Sequence, residues 1–281
     1  MTNFSELDLI ASFNFRSTQP VLIDVGGHHG SFSKVFAEKG WRVIAFEPEH
    51  KNRAAFERNL AGFENVICIP KAVSDIHEDK VPFYVSEEHY GIHTLKPFHG
   101  THKLAYTVET VRLDDVLRDL QVPKVTLLKV DIEGADFLAL KGFNIEKYWP
   151  ELIMVEFMDD RSLPNFGYTH HDVVNYMKEH GYTAFVSEWA PIKEYAREGI
   201  ATEPHIWLQC VPYPLDHEPA WGNLIFVPGS DREKFLKTLQ VYLNRMRTEY
   251  TTNQIKKQVA KIPGSKALYH LIKRIFHVRA C

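Results

Sequence analysis

The 281-residue chain has little cysteine, and what it has follows no binding pattern. Cys68, Cys210 and Cys281 stand far apart with no Cys-x-x-Cys pair. That excludes a disulfide scaffold and a cysteine-based zinc knuckle, and suits a reducing compartment. No apolar run approaches the ~20 residues that a membrane-spanning helix needs. The opening MTNFSELDLIASFNF lacks the basic start and apolar centre of a secretory signal. A cytoplasmic protein is therefore expected. Repeats and low-complexity tracts are missing too. The formal charge of −3 is too small to mark a generic polyanion binder, so nucleic acid is not an expected partner. Acid itself runs out: after Glu249 there is no Asp or Glu, while Lys256, Lys257, Lys261, Lys266, Lys273, Arg274 and Arg279 follow. An acidic body of charge −10 thus carries a basic tail of +7 to give the overall −3.

What is present is alternation. The short β-branched run Val21-Leu22-Ile23-Asp24-Val25 reads as a buried strand and Ser31 to Lys39 as an amphipathic helix, with a second strand from Trp41 to Phe46. Helices are expected over Asn52–Leu60, Leu113–Leu120, Ala135–Lys141 and Thr169–His180. Strands are expected over 66–69, 125–130, 152–157, 182–187, 205–211 and 223–227, with 81–85 and 106–111 pairing outside the main sheet. Strand–helix alternation predicts an α/β fold: a mostly parallel sheet with helices on both faces. With 44% hydrophobic residues the chain can bury one substantial core. The expected division is an N-terminal helical segment (1–20), the α/β domain (21–228) and a basic helical extension (229–281). Ligands should sit at the carboxyl ends of the strands.

The turn after the first strand, Asp24-Val-Gly-Gly-His-His-Gly30, asks for a ligand. A phosphate-binding P-loop needs a Gly-Lys-Ser/Thr ending, which is absent. A dinucleotide turn needs Gly-x-Gly-x-x-Gly, and His28 stands where its second glycine belongs. What remains, Asp24-x-Gly26-x-x-x-Gly30 followed by Glu47 at the end of the next strand, resembles the S-adenosylmethionine loop of class I methyltransferases. Acids such as Asp24 suit a cationic ligand, and Glu47 can take two ribose hydroxyls. The plainer alternative is a tight structural turn.

The second informative stretch is Lys129-Val-Asp-Ile-Glu-Gly-Ala-Asp136. No Pro-Pro occurs in the chain, so the [DNS]PP[YFW] ending of nitrogen methyltransferases is missing. Glu133 and Asp136 read equally well as acids complementing a helix start. Taken in order, Asp24–Gly30, Phe46-Glu-Pro48, Ala72-Val-Ser-Asp75, Val111-Arg-Leu-Asp114, Lys129–Ala135 and Val155-Glu-Phe157 resemble the FkbM family of S-adenosylmethionine-dependent methyltransferases over roughly residues 20–210. The resemblance implies a class I, Rossmann-like methyltransferase fold and O-methylation, commonly of sugar hydroxyls on polysaccharides or glycoconjugates. It also implies cofactor contacts from Asp24, Gly26, Gly27, His28, Gly30, Glu47, Pro48, Ala72, Val73 and Asp131. A small natural-product acceptor, or a nucleotide-binding oxidoreductase on the same half-sheet, stays open.

A hydroxyl becomes a methyl acceptor only as its proton leaves. Two devices are expected. Asp131 and Glu156, at neighbouring strand ends, could bind Mg²⁺ and acidify the acceptor hydroxyl. Alternatively a histidine takes the proton: His93 first, or His170 and His171. Zinc in the histidine-rich stretch 86–103 is disfavoured by irregular spacing and the lack of cysteine. In the tail, Leu268, Leu271, Ile272, Ile275 and Phe276 share one helical face. A basic amphipathic helix of that kind docks on an acidic body, or attaches to an anionic membrane surface at the inner face or to a glycosyltransferase.

Overall fold

The computed structural model describes residues 4–197 and 204–259. In chain order the elements are α1 (Glu6–Ala11), β1 (Val21–Val25), α2 (Ser31–Ala37), β2 (Arg42–Phe46), α3 (His50–Asn59), β3 (Val66–Ile69), β4 (Ala72–Val73), β5 (Glu78–Ser86), β6 (His102–Val111), α4 (Leu113–Asp119), β7 (Leu127–Val130), α5 (Asp136–Lys141), α6 (Ile145–Tyr148), β8 (Leu152–Phe157), α7 (Asp159–Phe166), α8 (His170–Glu179), β9 (Tyr182–Trp189), β10 (Trp207–Pro212), β11 (Trp221–Pro228) and α9 (Arg232–Val259). They form two units. The larger is Asn14–Arg232; the smaller joins the segment ending at Phe13 to the one beginning at Glu233.

In the larger unit eight strands lie in the order β10-β9-β11-β8-β7-β1-β2-β3. The five from β3 to β8 are parallel. Strand β11 inserts antiparallel between β8 and β9, and β10 closes the edge antiparallel to β9. The expected mostly parallel α/β sheet is thus present, with an antiparallel end. Strands β1 and β7 are buried along their whole length, as a sheet covered on both faces requires, and this is why they read as continuous apolar runs rather than alternating ones. One half of the sheet winds outward from β1 through β2 and β3; the other begins at β7, on the opposite side of β1. The direction of winding reverses between β1 and β7, and the carboxyl ends of strands at such a reversal are where sheets of this kind bind ligands.

The expected excursion forms as a separate sheet, β4-β6-β5, with Val81 opposite Val108 and Phe83 opposite Tyr106. Phe83, Val108 and Ala72 make its small core. Helix α8 starts as its sequence indicates: Thr169 and Asp172 form a reciprocal capping box, and Gly181 follows the helix at φ +78°. Helix α7 is not foreseen in the sequence. Pro164 lies inside it, and proline usually ends helices.

In the smaller unit Phe235, Leu239 and Tyr242 are buried along one face of α9, spaced by four and three residues as a helical stripe requires. Phe4 meets Tyr242 edge-on at 5.4 Å, and the Tyr242 hydroxyl accepts the Ser5 N–H. No helix among the described residues is long and apolar enough to cross a membrane. The amphipathic stretch 268–276 lies outside the described residues.

Candidate active site

The glycine turn links the ends of β1 and β2. Gly26 N and Gly27 N both donate to the Phe46 carbonyl, at 3.0 and 2.9 Å. Gly26 sits at φ +81°, and a Cβ there would lie 1.9 Å from the Asp131 carbonyl oxygen. Gly30, at φ +82°, stands at the start of α2 where a Cβ would meet Leu60 at 2.3 Å. Both glycines are demanded by backbone conformation and by close neighbours within the fold. Asp24 is fully enclosed beneath the turn. Its carboxylate accepts from Ser33 Oγ at 2.6 Å and faces Lys129 Nζ at 3.3 Å. Lys129 is also buried. It donates to the Gly26 carbonyl at 2.7 Å and reaches Asp131 at 3.4 Å. Burial alone would lower the pKa of that ammonium, but Asp131 and Asp24 together raise it. The expectation that Asp24 meets a cationic ligand is corrected: its charge is spent on Lys129, and it braces the loop from below.

Glu47 ends β2 with both oxygens engaged. Oε2 accepts the His28 N–H and Oε1 the Glu49 N–H, each at 2.8 Å. Burial pushes its carboxyl up to about 7, against the pull of those two donors. Pro48 turns its carbonyl to Arg53. His28 adopts φ +48° and stacks on His29 at 3.8 Å, with Tyr90 at 5.5 Å from both rings. Burial drives the His28 imidazole down to about 4, with His29 and Lys129 adding to the effect.

Beside the turn, at the ends of β7 and β8, stand the acids of the second motif. Val130 pairs with Val155, so Asp131 and Glu156 come at adjoining strand ends. Asp136 accepts from Ile132 N and Gly134 N, at 2.9 and 3.0 Å, and so locks the turn between β7 and α5. That turn holds Glu133 at φ +60° and Gly134 at φ +99°. One oxygen each of Asp131, Glu133 and Glu156 lie within 4.8 Å of one another. The buried Arg161 of α7 joins them, in contact with Glu133 and 4.0 Å from Glu156. Its guanidinium lies over the Phe98 ring at 4.2 Å and donates to the Tyr195 hydroxyl at 3.0 Å. Gly134 permits the approach of α7, since a Cβ there would sit 3.2 Å from Arg161 Cβ. Burial first, then Asp131 and Asp136, raise the Glu156 carboxyl well above the usual range. Burial and Asp131 push Asp136 up to about 7.

The remaining candidates separate. His93 accepts the Ser86 N–H on Nδ1 at 3.3 Å, which leaves Nε2 to carry the proton; burial lowers its pKa. Its lone pair is occupied, so His93 is not built as a free base. Ala72 and Val73 lie buried in β4 beside Thr110 and Val111. His170 and His171 sit together at the start of α8, engaged by Asp159 and Tyr213. The sequence reading missed Lys129 and Arg161. The first lay inside a motif already singled out, two residues from Asp131. The second has no short-range signal at all.

The family model for the methyltransferase FkbM domain matches residues 24–184. The chain belongs to the FkbM methyltransferase family. Among its relatives, the hexuronic acid methyltransferase AglP of Haloferax volcanii is 29% identical over 150 residues, covering 48% of this chain and 55% of that protein. Methyltransferase sdnD of Sordaria araneosa is 29% identical over 166 residues, covering 47% of this chain and 63% of its own. The chain thus spans between half and two-thirds of the length of these relatives. Similar solved structures include an rRNA methylase from Streptococcus thermophilus (TM-score 0.41, 10% identity, 79% of this chain and 93% of that one). Another is a precorrin-6y C5,15-methyltransferase from Geobacter metallireducens (TM-score 0.39, 13% identity, 78% and 85%).

The residues of this FkbM-family chain fit the donor that its motifs imply. Each Glu47 oxygen takes one N–H and keeps a lone pair for a ribose hydroxyl. The Asp131 side chain is 40% exposed beside the turn, an acceptor for an ammonium group. His28 Nε2 is buried with no hydrogen-bond partner. Magnesium fits less well. Mg²⁺ demands octahedral oxygen ligation and keeps several waters, yet a guanidinium already stands against Glu133 and within ion-pair range of Glu156.

Proposed function

We propose that this FkbM methyltransferase transfers a methyl group from S-adenosylmethionine to a hydroxyl of a carbohydrate acceptor. The observation that carries the reading is Glu156: a largely enclosed carboxyl, raised well above its usual range, near the end of β8 and grouped with Asp131 and Glu133 at the end of β7. A carboxylate of raised pKa is the stronger base, suited to taking an alcohol proton. The donor, when bound, supplies an electrophilic methyl on a sulfonium. Glu47 accepts the ribose hydroxyls and Asp131 faces the ammonium. Glu156, as the carboxylate, takes the acceptor proton as the oxygen attacks and becomes neutral; Arg161 offsets the negative charge that the carboxylate carries before that step. The rings of Phe98 and Tyr195 on Arg161 give a sugar an apolar wall. The likeness to AglP, a hexuronic acid methyltransferase, supports the carbohydrate class.

Calorimetric titration with S-adenosylmethionine, S-adenosylhomocysteine and NAD tests the donor, with Glu47→Ala as control. Micromolar binding of the first two, lost in the variant, is expected; binding of NAD alone would overturn the reading. Methyl-label transfer to a sugar panel then tests the acceptor, and failure with every sugar beside success with a non-sugar natural product would replace it. We further propose that the basic stretch after Glu249 brings the enzyme to an anionic membrane surface or a glycosyltransferase where acceptors are assembled. Equal, negligible sedimentation with anionic liposomes of the full chain and of one ending at Gly264 would dispose of the membrane arm.

A further inference from the structure

Histidines 170 and 171 sit side by side at the start of α8, and they are organised. His170 is almost fully buried at the start of α8. Its Nδ1 lies 2.7 Å from Asp159 Oδ2, and its backbone N–H donates to Asp159 Oδ1 at 2.8 Å. Asp159 therefore grips this residue twice and fixes the ring: Nδ1 carries the proton, and the lone pair falls on Nε2. His171 repeats the pattern. Its Nδ1 bonds the Tyr213 hydroxyl, and Nε2 is left to point onward. The two rings lie 4.0 Å apart. Both Nε2 atoms converge on one carboxylate, that of Glu218 in the connection between β10 and β11. His171 Nε2 stands 3.3 Å from it and His170 Nε2 3.9 Å. One ligand atom from each of His170, His171 and Glu218 lies within 4.8 Å of the others.

We propose that His170, His171 and Glu218 form a binding site for a zinc-class divalent ion, distinct from the cluster of Asp131, Glu133 and Glu156. Two imidazoles and one carboxylate make a donor set that zinc takes with its fourth position left to water or another ligand. Tetrahedral ligands at about 2.0–2.1 Å from zinc stand roughly 3.3–3.4 Å apart, close to the separations found here. The inward nitrogens are bonded to a carboxylate and a hydroxyl, which is how metal-binding histidines are usually held, tautomer and direction fixed by an outer partner. A path for the ion is open: the Glu218 side chain is 76% exposed and His171 47%, while His170 forms the closed floor. A plain histidine–carboxylate ion pair would account for His171 and Glu218 alone. It does not account for a buried second imidazole whose free nitrogen is turned to the same carboxylate. Bound there, the ion would tie the β10–β11 connection to the start of α8.

The test is zinc titration of the full chain after dialysis against chelator, read by calorimetry and by metal analysis of the re-dialysed protein. One equivalent should bind. Glu218→Gln and His171→Asn, both at exposed positions, should each weaken binding at least ~10-fold, and Asp159→Asn, acting through His170, by about 10-fold. His217→Asn serves as control, because His217 pairs with Glu188 and Asp216 on the same connection; it should leave the affinity unchanged. Cobalt in place of zinc should give the intense visible absorption of a four-coordinate ion, lost in Glu218→Gln. No bound equivalent, equal affinity in all variants, or a loss confined to His217→Asn would overturn the site. None of these readouts depends on methyl transfer, so failure here leaves the proposed activity standing, and the reverse.

Discussion

Two regions meet where β1 and β7 run side by side, and they are held together by different means. In the glycine turn most polar groups are answered by hydrogen bonds from within: Glu47 by two backbone N–H groups, Asp24 Oδ2 by Ser33, Lys129 by the Gly26 carbonyl. Asp24 Oδ1, which faces the Lys129 ammonium, and His28 Nε2 are the exceptions. In the acid centre charge pairing takes the larger share: Glu133 Oε2, Glu156 Oε2 and the Nε and Nη1 atoms of Arg161 are buried without a hydrogen-bond partner, although the charges pair. Native folds seldom tolerate such groups except where function requires them.

The contrast can be broken from either side. Gly26→Ala should do the most damage. The added methyl meets the Asp131 carbonyl and the residue is held at positive φ, so a loss above ~4 kcal/mol is expected, read as failure to fold or a collapsed Tm. Arg161→Leu comes next. It leaves Glu133 and Glu156 without their counter-charge and should cost roughly 3–4 kcal/mol at pH 8. Less should be lost near pH 5 than at pH 8, since burial raises the Glu156 carboxyl and favours its neutral form, and adding Glu133→Gln should recover part of the pH 8 loss. Equal losses at both pH values would show that packing, not charge, is what Arg161 supplies.

The third effect follows from Glu47 itself. Its folded pKa, about 7, lies above the ordinary 4.5. The stabilisation tied to its protonated form is therefore complete below pH 4.5 and disappears as pH rises through 7. Its size is at most about 3 kcal/mol. Thermal unfolding without ligand should occur at higher temperature at pH 5.5 than at pH 8, and Glu47→Gln should shrink the gap. The same variant turns an amide N–H₂ toward a backbone donor and should weaken S-adenosylmethionine about tenfold, ~1.4 kcal/mol, in calorimetry. The smallest effect concerns metal. EDTA is expected to leave turnover unchanged, since Arg161 already stands among the carboxylates; a loss restored by Mg²⁺ would return Asp131 and Glu156 to the role of ligands.

How much of this could be read beforehand follows the same divide. The turn was legible because its demands are local: strand, glycines, helix start and Glu47 lie within a few dozen residues, and each spacing has a geometric reason. Adjacency of Asp131 and Glu156 was legible once β7 and β8 were recognised as parallel neighbours. The character of the acid centre was not. Arg161 rides on a short helix with a proline inside it, and meets Glu133 only through tertiary packing. The enclosure of Asp24 was likewise invisible, because Lys129 reaches it from a strand more than a hundred residues away. His93 looked available until its lone pair met the Ser86 amide.

The placement of β11 bears on how the molecule is made. This strand is the last of the sheet to be synthesised, yet it lies between β8 and β9 rather than at an edge. Until residue 228 has left the ribosome, the apolar ladder of β8, Leu152-Ile-Met-Val-Glu-Phe157, has an open flank, and open flanks of that kind recruit other chains. The family match stops at residue 184, inside β9 and before β11 is reached. A chain cut at that boundary would hold the glycine turn, the acid centre and Arg161, and would still be expected to aggregate for want of the strand that seals β8.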